Sequence, residues 1–125
     1  KEKVLLNLNH KSLEVWKKSV TFVTMIYDLT EEFPKSEIYG IISQLRRAAV
    51  SIPSNIAEGA SRDSVKDRRR FYEIARSSLV EIDTQLEISM RLNYFNSQTN
   101  SDFSQIDETM NSLFAMLTRL KEKTE

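Results

Sequence analysis

The sequence predicts an all-α fold, an antiparallel up-and-down four-helix bundle in one domain covering residues 1–125. Three observations carry this reading. The two glycines and two prolines all lie between Pro34 and Gly59, which leaves long stretches without a helix breaker. Apolar residues recur at three- and four-residue spacing in four separate runs. The links between the runs are short, as antiparallel neighbours require.

The first helix is expected over 12–31, capped by Ser12, with Leu13, Trp16, Val20, Val23 and Tyr27 as its core stripe. Val15, Phe22, Met25 and Leu29 form a second apolar set off that stripe. Either the stripe is wide, or this second face is buried against another subunit and is an oligomer interface. FPKSE breaks the chain, with Ser36 placed to cap the next helix.

Helix two is expected over 37–58, its apolar side formed by Ile38, Ile41, Ile42, Leu45, Ala49, Ile52 and Ile56. Pro53 removes the bond to the Ala49 carbonyl and should bend the helix. Ile52 and Ile56 nevertheless keep the helical phase across it, and Gly59 reads as a C-terminal glycine. Helix three is expected over 63–92, with Ser64 and Asp67 as a capping box. Its stripe is Phe71, Ala75, Ser78, Leu79, Ile82, Leu86, Ser89 and Met90, and the small residues at 75 and 78 admit a close neighbour. After the polar loop NYFNSQTNSD, helix four is expected over 101–121. Phe103, Ile106, Met110, Leu113, Leu117 and Leu120 make its seam, and KEKTE reads as a frayed end.

Composition bounds the function. Eighteen basic and eighteen acidic residues give a net charge of +0, which argues against a strongly basic nucleic-acid coat. The chain has no cysteine, so disulfides and thiolate chemistry are excluded. No apolar run reaches the roughly 20 residues of a spanning helix, and KEKVLLNLNH has no cleavage signal, so the expected location is cytoplasmic, without a membrane partner.

Polar residues concentrate in QLRRAAVSIPSNIAEGASR. Ser43, Arg47, Ser51, Ser54 or Asn55, and Glu58 recur at helical spacing opposite the isoleucines. The stripe is either a solvated face or a recognition surface at the proline bend, where Asn55 and Glu58 lie near freed carbonyls. Arg62, Lys66, Arg69 and Arg70, with Arg68 and Arg76 nearby and Arg46 and Arg47 on the preceding helix, form a candidate basic patch. Tyr72 is its candidate stacking ring. Asp63, Asp67 and Glu73 interrupt it, so a solvated face laced with ion pairs is equally good physics. Tyr94 and Phe95 either contact another subunit or cap the bundle end.

Enzyme readings are weak. The sole histidine, His10, precedes the first helix and has no Glu-x-x-His partner, and Glu81 and Glu87 alone are no metal site. No serine has a histidine base near it in sequence, and no phosphate-cradling glycine loop occurs. A hydrolase built on Glu58 and Arg62 lacks a nucleophile. No catalytic residue, metal or cofactor is assigned.

Leu13 and Trp16, the block FPKSEIYGIISQLRRAAVSIPSNIAEGASR and the run RRFYEIARSSLVEIDTQLEISMRLNYF together resemble the bacterial four-helix bundle proteins also called 23S rRNA intervening-sequence proteins. Ser77 and Asn93 stand where that family usually has glycine. The resemblance implies a left-handed bundle that in related proteins forms a ring of five. Some relatives are encoded within insertions in 23S rRNA genes, and others look like an accessory protein that works beside a reverse transcriptase. The positions matching the family signature are Arg46, Arg47, Ser51, Asn55, Glu58, Gly59 and Arg62. Two functional readings follow: a non-enzymatic homo-oligomeric scaffold or binding module, pentameric by resemblance, or an RNA or single-stranded nucleic-acid accessory protein acting through a multivalent patch of Arg62, Lys66, Arg69, Arg70 and Arg76.

Overall fold

The computed structural model describes residue 6 and residues 8–124, and its elements are all helical: α1 (Glu14–Thr30), α2 (Ile41–Ala60), α3 (Val65–Arg91) and α4 (Phe103–Lys123). Short 3-10 turns at Asn9–Ser12 and Lys35–Glu37 precede α1 and α2. Helices α1 and α3 each pack against both α2 and α4, which makes a four-helix bundle, and α2 with α3 is the most extensive pairing. No described helix is long and apolar enough to cross a membrane. Residues 1–5, where no cleavage signal is expected, Asn7, the side chain of the expected cap Ser12, and Glu125 of the expected frayed end lie outside the described residues.

Helix α1 is rotated from the orientation that its sequence suggests. Val15, Phe22, Ile26 and Leu29 are buried in the core of the single chain, whereas Val20 and Tyr27 of the expected stripe are exposed. Val15, Phe22 and Leu29 are therefore not an oligomer interface; Met25 is half-buried and packs against the same core. Ser19 explains the misreading. It sits in the middle of the true stripe at 0% exposure and interrupts the apolar pattern. Its hydroxyl donates to the Trp16 carbonyl at 2.7 Å, so it enters the core already hydrogen-bonded. Thr30 does the same by donating to the Ile26 carbonyl at 2.8 Å.

Helix α2 starts four residues later than expected. Ser36 makes no cap; instead Glu37 Oε1 accepts from the Ile41 backbone N–H at 3.2 Å, satisfying an otherwise orphaned donor of the first turn. The Lys35–Glu37 turn leaves Ile38 exposed rather than in the core. The helix runs through Pro53, with Ile52 and Ile56 both fully buried. Gly59 is not a terminal glycine but lies inside the last turn, without a positive φ. It is glycine because a Cβ there would meet Tyr72 Cε1 at 2.7 Å and Phe71 Cβ at 3.1 Å.

Ser64 caps α3 as expected, its Oγ accepting from the Asp67 N–H at 3.2 Å. At the other end Asn93 adopts φ 62°, while Tyr94 N–H donates to the Ser89 carbonyl at 2.9 Å and Asn93 N–H to that of Met90 at 3.0 Å. That pair of bonds around a left-handed residue is the Schellman arrangement, and asparagine is one of the few side chains that tolerates it. The chain then folds over the bundle end. Phe95 stacks on Phe33 at 5.9 Å and lies 5.5 Å from Phe103, and Tyr94 lies 5.5 Å from Phe33. Tyr94 and Phe95 thus cap the bundle end.

Candidate functional site

The signature residues of α2 divide by what they touch. Arg46, mostly buried, ties α2 to the end of α1: Nε donates to Thr30 Oγ1 at 2.8 Å, Nη2 to the Tyr27 carbonyl at 3.3 Å and to Glu31 Oε2 at 3.2 Å. Its guanidinium also lies 4.4 Å from the Tyr27 ring centroid. A cation on the last carbonyls of α1 is favourably placed against the helix dipole. Arg46 therefore fastens two helices together.

Ser51 and Asn55 form a second internal tie. Asn55 Nδ2 donates to the Ser51 carbonyl at 2.8 Å and to Ser51 Oγ at 2.9 Å; Ser51 and Ser78 hydroxyls are 2.9 Å apart, and Ser78 Oγ donates to the Ile74 carbonyl at 3.0 Å. Since the one hydroxyl hydrogen of Ser78 goes to Ile74, Ser51 must donate to Ser78. The relay crosses the α2–α3 interface, and the Asn55 amide serves the Ser51 carbonyl, not the carbonyl that Pro53 frees. Glu58 pairs with Arg62 at 2.6 Å. Arg47 projects outward as Glu58 does, its Nη2 donating to Ser43 Oγ at 3.2 Å.

The basic patch is divided as well. Arg76 turns toward α4, donating to Thr118 Oγ1 at 2.9 Å, lying 3.7 Å from Glu73 and 4.4 Å from the Phe114 ring. Arg69 donates through Nε to the Lys121 carbonyl at 3.3 Å, and Arg68 to the carbonyls of Arg62 and Asp63. Arg62 and Arg70 flank the half-buried Phe71 ring at 5.0 and 4.7 Å. Tyr72 is buried against Gly59, so it is no stacking platform; burial pushes its hydroxyl pKa up. Among the described residues Lys66, Arg69 and Arg70 make no ion pair.

His10 packs edge-on against Trp16 at 5.0 Å, and burial and the Lys11 charge push its pKa down. The fold carries it to the end of α2, where a recess is lined by His10, Glu58 and Ser61. The Ser61 hydroxyl is engaged elsewhere, donating to the Glu58 carbonyl at 2.8 Å. The described residues contain no cluster of three or more metal-ligating side chains.

Two features were not legible in the sequence. On the α1–α2 flank, Tyr27, Ile38, Tyr39 and Val50 line an open groove with Arg46 and Arg47, and Tyr39 is 95% exposed. Between α3 and α4, Val80, Asp83, Asp107, Met110, Asn111 and Phe114 line a groove of about 310 Å³. Only Tyr39, off the α2 stripe just before Gly40, could have signalled the first.

No curated protein matches the chain. Among solved structures, a crystal structure from Bacteroides thetaiotaomicron VPI-5482, described as a protein with unknown function from the S23 ribosomal protein family, superposes with a TM-score of 0.75. It is 23% identical and the match covers 87% of this chain and 96% of that one, a likeness of fold. The model of the 23S rRNA-intervening sequence protein family matches residues 11–119. With that match spanning all four helices, the chain belongs to the 23S rRNA-intervening sequence protein family.

Proposed function

We propose that this protein is a non-enzymatic, homo-oligomeric scaffold or binding module. The observation that carries the reading is the α1–α2 flank, where Tyr27, Ile38, Tyr39 and Val50 are 40%, 46%, 95% and 42% exposed around one groove. Contiguous apolar side chains on a polar-surfaced domain mark an interaction face. The ring of five implied by the family resemblance supports self-association. Sedimentation velocity tests it: the wild type should sediment above monomer mass, and Tyr39→Ser with Val50→Ser should shift it toward monomer with unchanged helical circular dichroism. A monomeric wild type at tens of micromolar overturns the reading.

A second reading, association with RNA or single-stranded DNA, is favoured by the Arg62–Phe71–Arg70 cluster with Lys66 and Arg69 beside it. A ring would present several weak patches at once, offsetting the neutral net charge. Fluorescence anisotropy with labelled RNA at two salt concentrations tests it. Lys66, Arg69 and Arg70 changed together to alanine should lower the log–log salt slope by about 2 per protomer engaged, at roughly 0.7 per lost phosphate contact. Absence of binding by the assembled wild type at low salt removes it.

A further inference from the structure

The geometry points to the α3–α4 groove of a second copy of this chain as the seat for the α1–α2 flank, an inference that rests on the scaffold reading. Because α1 and α3 each contact α2 and α4, the α1–α2 and α3–α4 grooves lie on opposite sides of the bundle. One copy can therefore present its flank to the groove of the next while its own groove stays open. Such contact is heterologous, and its repetition gives a ring or a filament.

The two grooves also lie at one level along the bundle. The Gln44–Gln85 and Ser51–Ser78 hydrogen bonds place residues 44–51 of α2 beside residues 78–85 of α3. The Arg76–Thr118 bond fixes α4 against α3, bringing residues 107–114 to the height of Leu79 to Asp83. Arg47 and Val50 are thus level with Val80, Asp83 and Phe114. Two copies of the same polarity can therefore meet with no rise along the bundle axis, which a closed ring needs in addition to a rotation between copies.

Charge completes the match. Arg47 on the flank makes no ion pair, and neither Asp83 nor Asp107 in the groove has a basic partner among the described residues. Apolar surface accompanies both: Val50 on one side, Val80 at 52% and Phe114 at 37% exposure on the other. Docking places the Arg47 guanidinium among the aspartates and covers the apolar residues together. Opposite charges across an interface fix register and exclude wrong partners.

The test uses Arg47→Asp and Asp83→Arg in the full chain, both read by sedimentation velocity with circular dichroism as the check on folding. Each single variant should weaken assembly by at least about tenfold, the scale of a close interfacial charge pair reversed. The double variant should regain the wild-type mass. Mixing the two single variants should give larger assemblies than either alone, with the two chains alternating, since each flank then meets a groove of opposite charge. Should Asp83→Arg lose helical signal, Asp107→Arg takes its place. Single variants that keep the wild-type mass, a double variant that does not recover, or a mixture that assembles no further than the separate variants would overturn the groove pairing while leaving the scaffold reading intact. A monomeric wild type overturns both.

Discussion

The ring of Tyr72 occupies the space that a side chain on residue 59 would need: a Cβ added at Gly59 would lie 2.7 Å from its Cε1 and 3.0 Å from its Cδ1. The contact sits where the end of α2 meets the start of α3, and both residues are buried. Gly59→Ala gains about 1 kcal/mol in helix propensity. It must also displace a ring held within the interface, an overpacking cost of about 1–3 kcal/mol. A net loss of stability is expected in urea unfolding. In a Tyr72→Leu background the closest collision is relieved, leaving the 3.1 Å approach to Phe71 Cβ, and the same substitution should become less costly than in the wild type. Equal effects in the two backgrounds would show that Tyr72 does not dictate the glycine.

The Tyr94 hydroxyl donates to Glu37 Oε2 at 2.6 Å while Glu37 Oε1 accepts from the Ile41 N–H at 3.2 Å, so one carboxylate joins the α3–α4 loop to the start of α2. The Tyr94 bond, and after it the Ile41 bond, holds the Glu37 carboxyl below its ordinary 4.5; the same bond pushes the Tyr94 hydroxyl above its ordinary 10.0. A depressed carboxyl contributes stability above its unfolded value, which is lost as the pH falls through the folded one. A raised phenol contributes below its unfolded value, lost as the pH rises through the folded one. The difference in Tm between wild type and Tyr94→Phe should therefore be widest near neutrality and narrow toward both acid and strongly alkaline pH. A difference independent of pH would assign the effect to packing against Phe33 instead.

Where the sequence was legible, local chemistry and periodicity agreed. Ser64 with Asp67, the phase kept by Ile52 and Ile56 across Pro53, and the Ile106, Leu113 and Leu117 seam all appear as their spacing requires. Misreadings arose where a small polar residue satisfied itself within its own helix and entered the core, as at Ser19, because composition counts it as polar while its hydrogen bond makes it neutral to burial. The α2 signature had a different difficulty. Arg46 and Ser51 read within one helix as part of a polar signature, but their partners Thr30, Tyr27 and Ser78 come from other helices, which spacing within one helix cannot reveal. The α3–α4 groove likewise needs the relative rotation of two helices, and no local pattern encodes it.

The rotation of α1 separates two outcomes that the sequence left open. Phe22 is fully buried in the bundle, so Phe22→Ala should cost about 3–5 kcal/mol of unfolding free energy. Val20, 37% exposed, should tolerate threonine within about 0.5 kcal/mol. Denaturant unfolding at matched concentration distinguishes these. A Phe22→Ala protein that stays fully helical and as stable as wild type, but loses assembled mass, would restore Phe22 to an interface and contradict the core position.

Gln85 lies 6% exposed between α2 and α3, its Nε2 donating to Glu81 Oε2 at 3.1 Å and reaching Gln44 Oε1 at 3.5 Å, while its own Oε1 is buried without a donor. Exchanging the amide ends would set the carbonyl oxygen against the Glu81 carboxylate, so the present orientation is the better of two imperfect ones. A buried acceptor left unpaired costs about 1–3 kcal/mol, whereas an apolar side chain of similar shape carries no such cost. Gln44 and Glu81 are exposed and keep their hydration when the amide is removed. Gln85→Leu is therefore expected to raise the urea midpoint, by as much as about 1 kcal/mol in stability, with an unchanged m-value. Gln85→Glu should do the opposite, because it places a second carboxylate beside Glu81 in a site with little water. A loss of stability in the leucine variant would mean that the two long amide bonds contribute more than the orphaned oxygen costs.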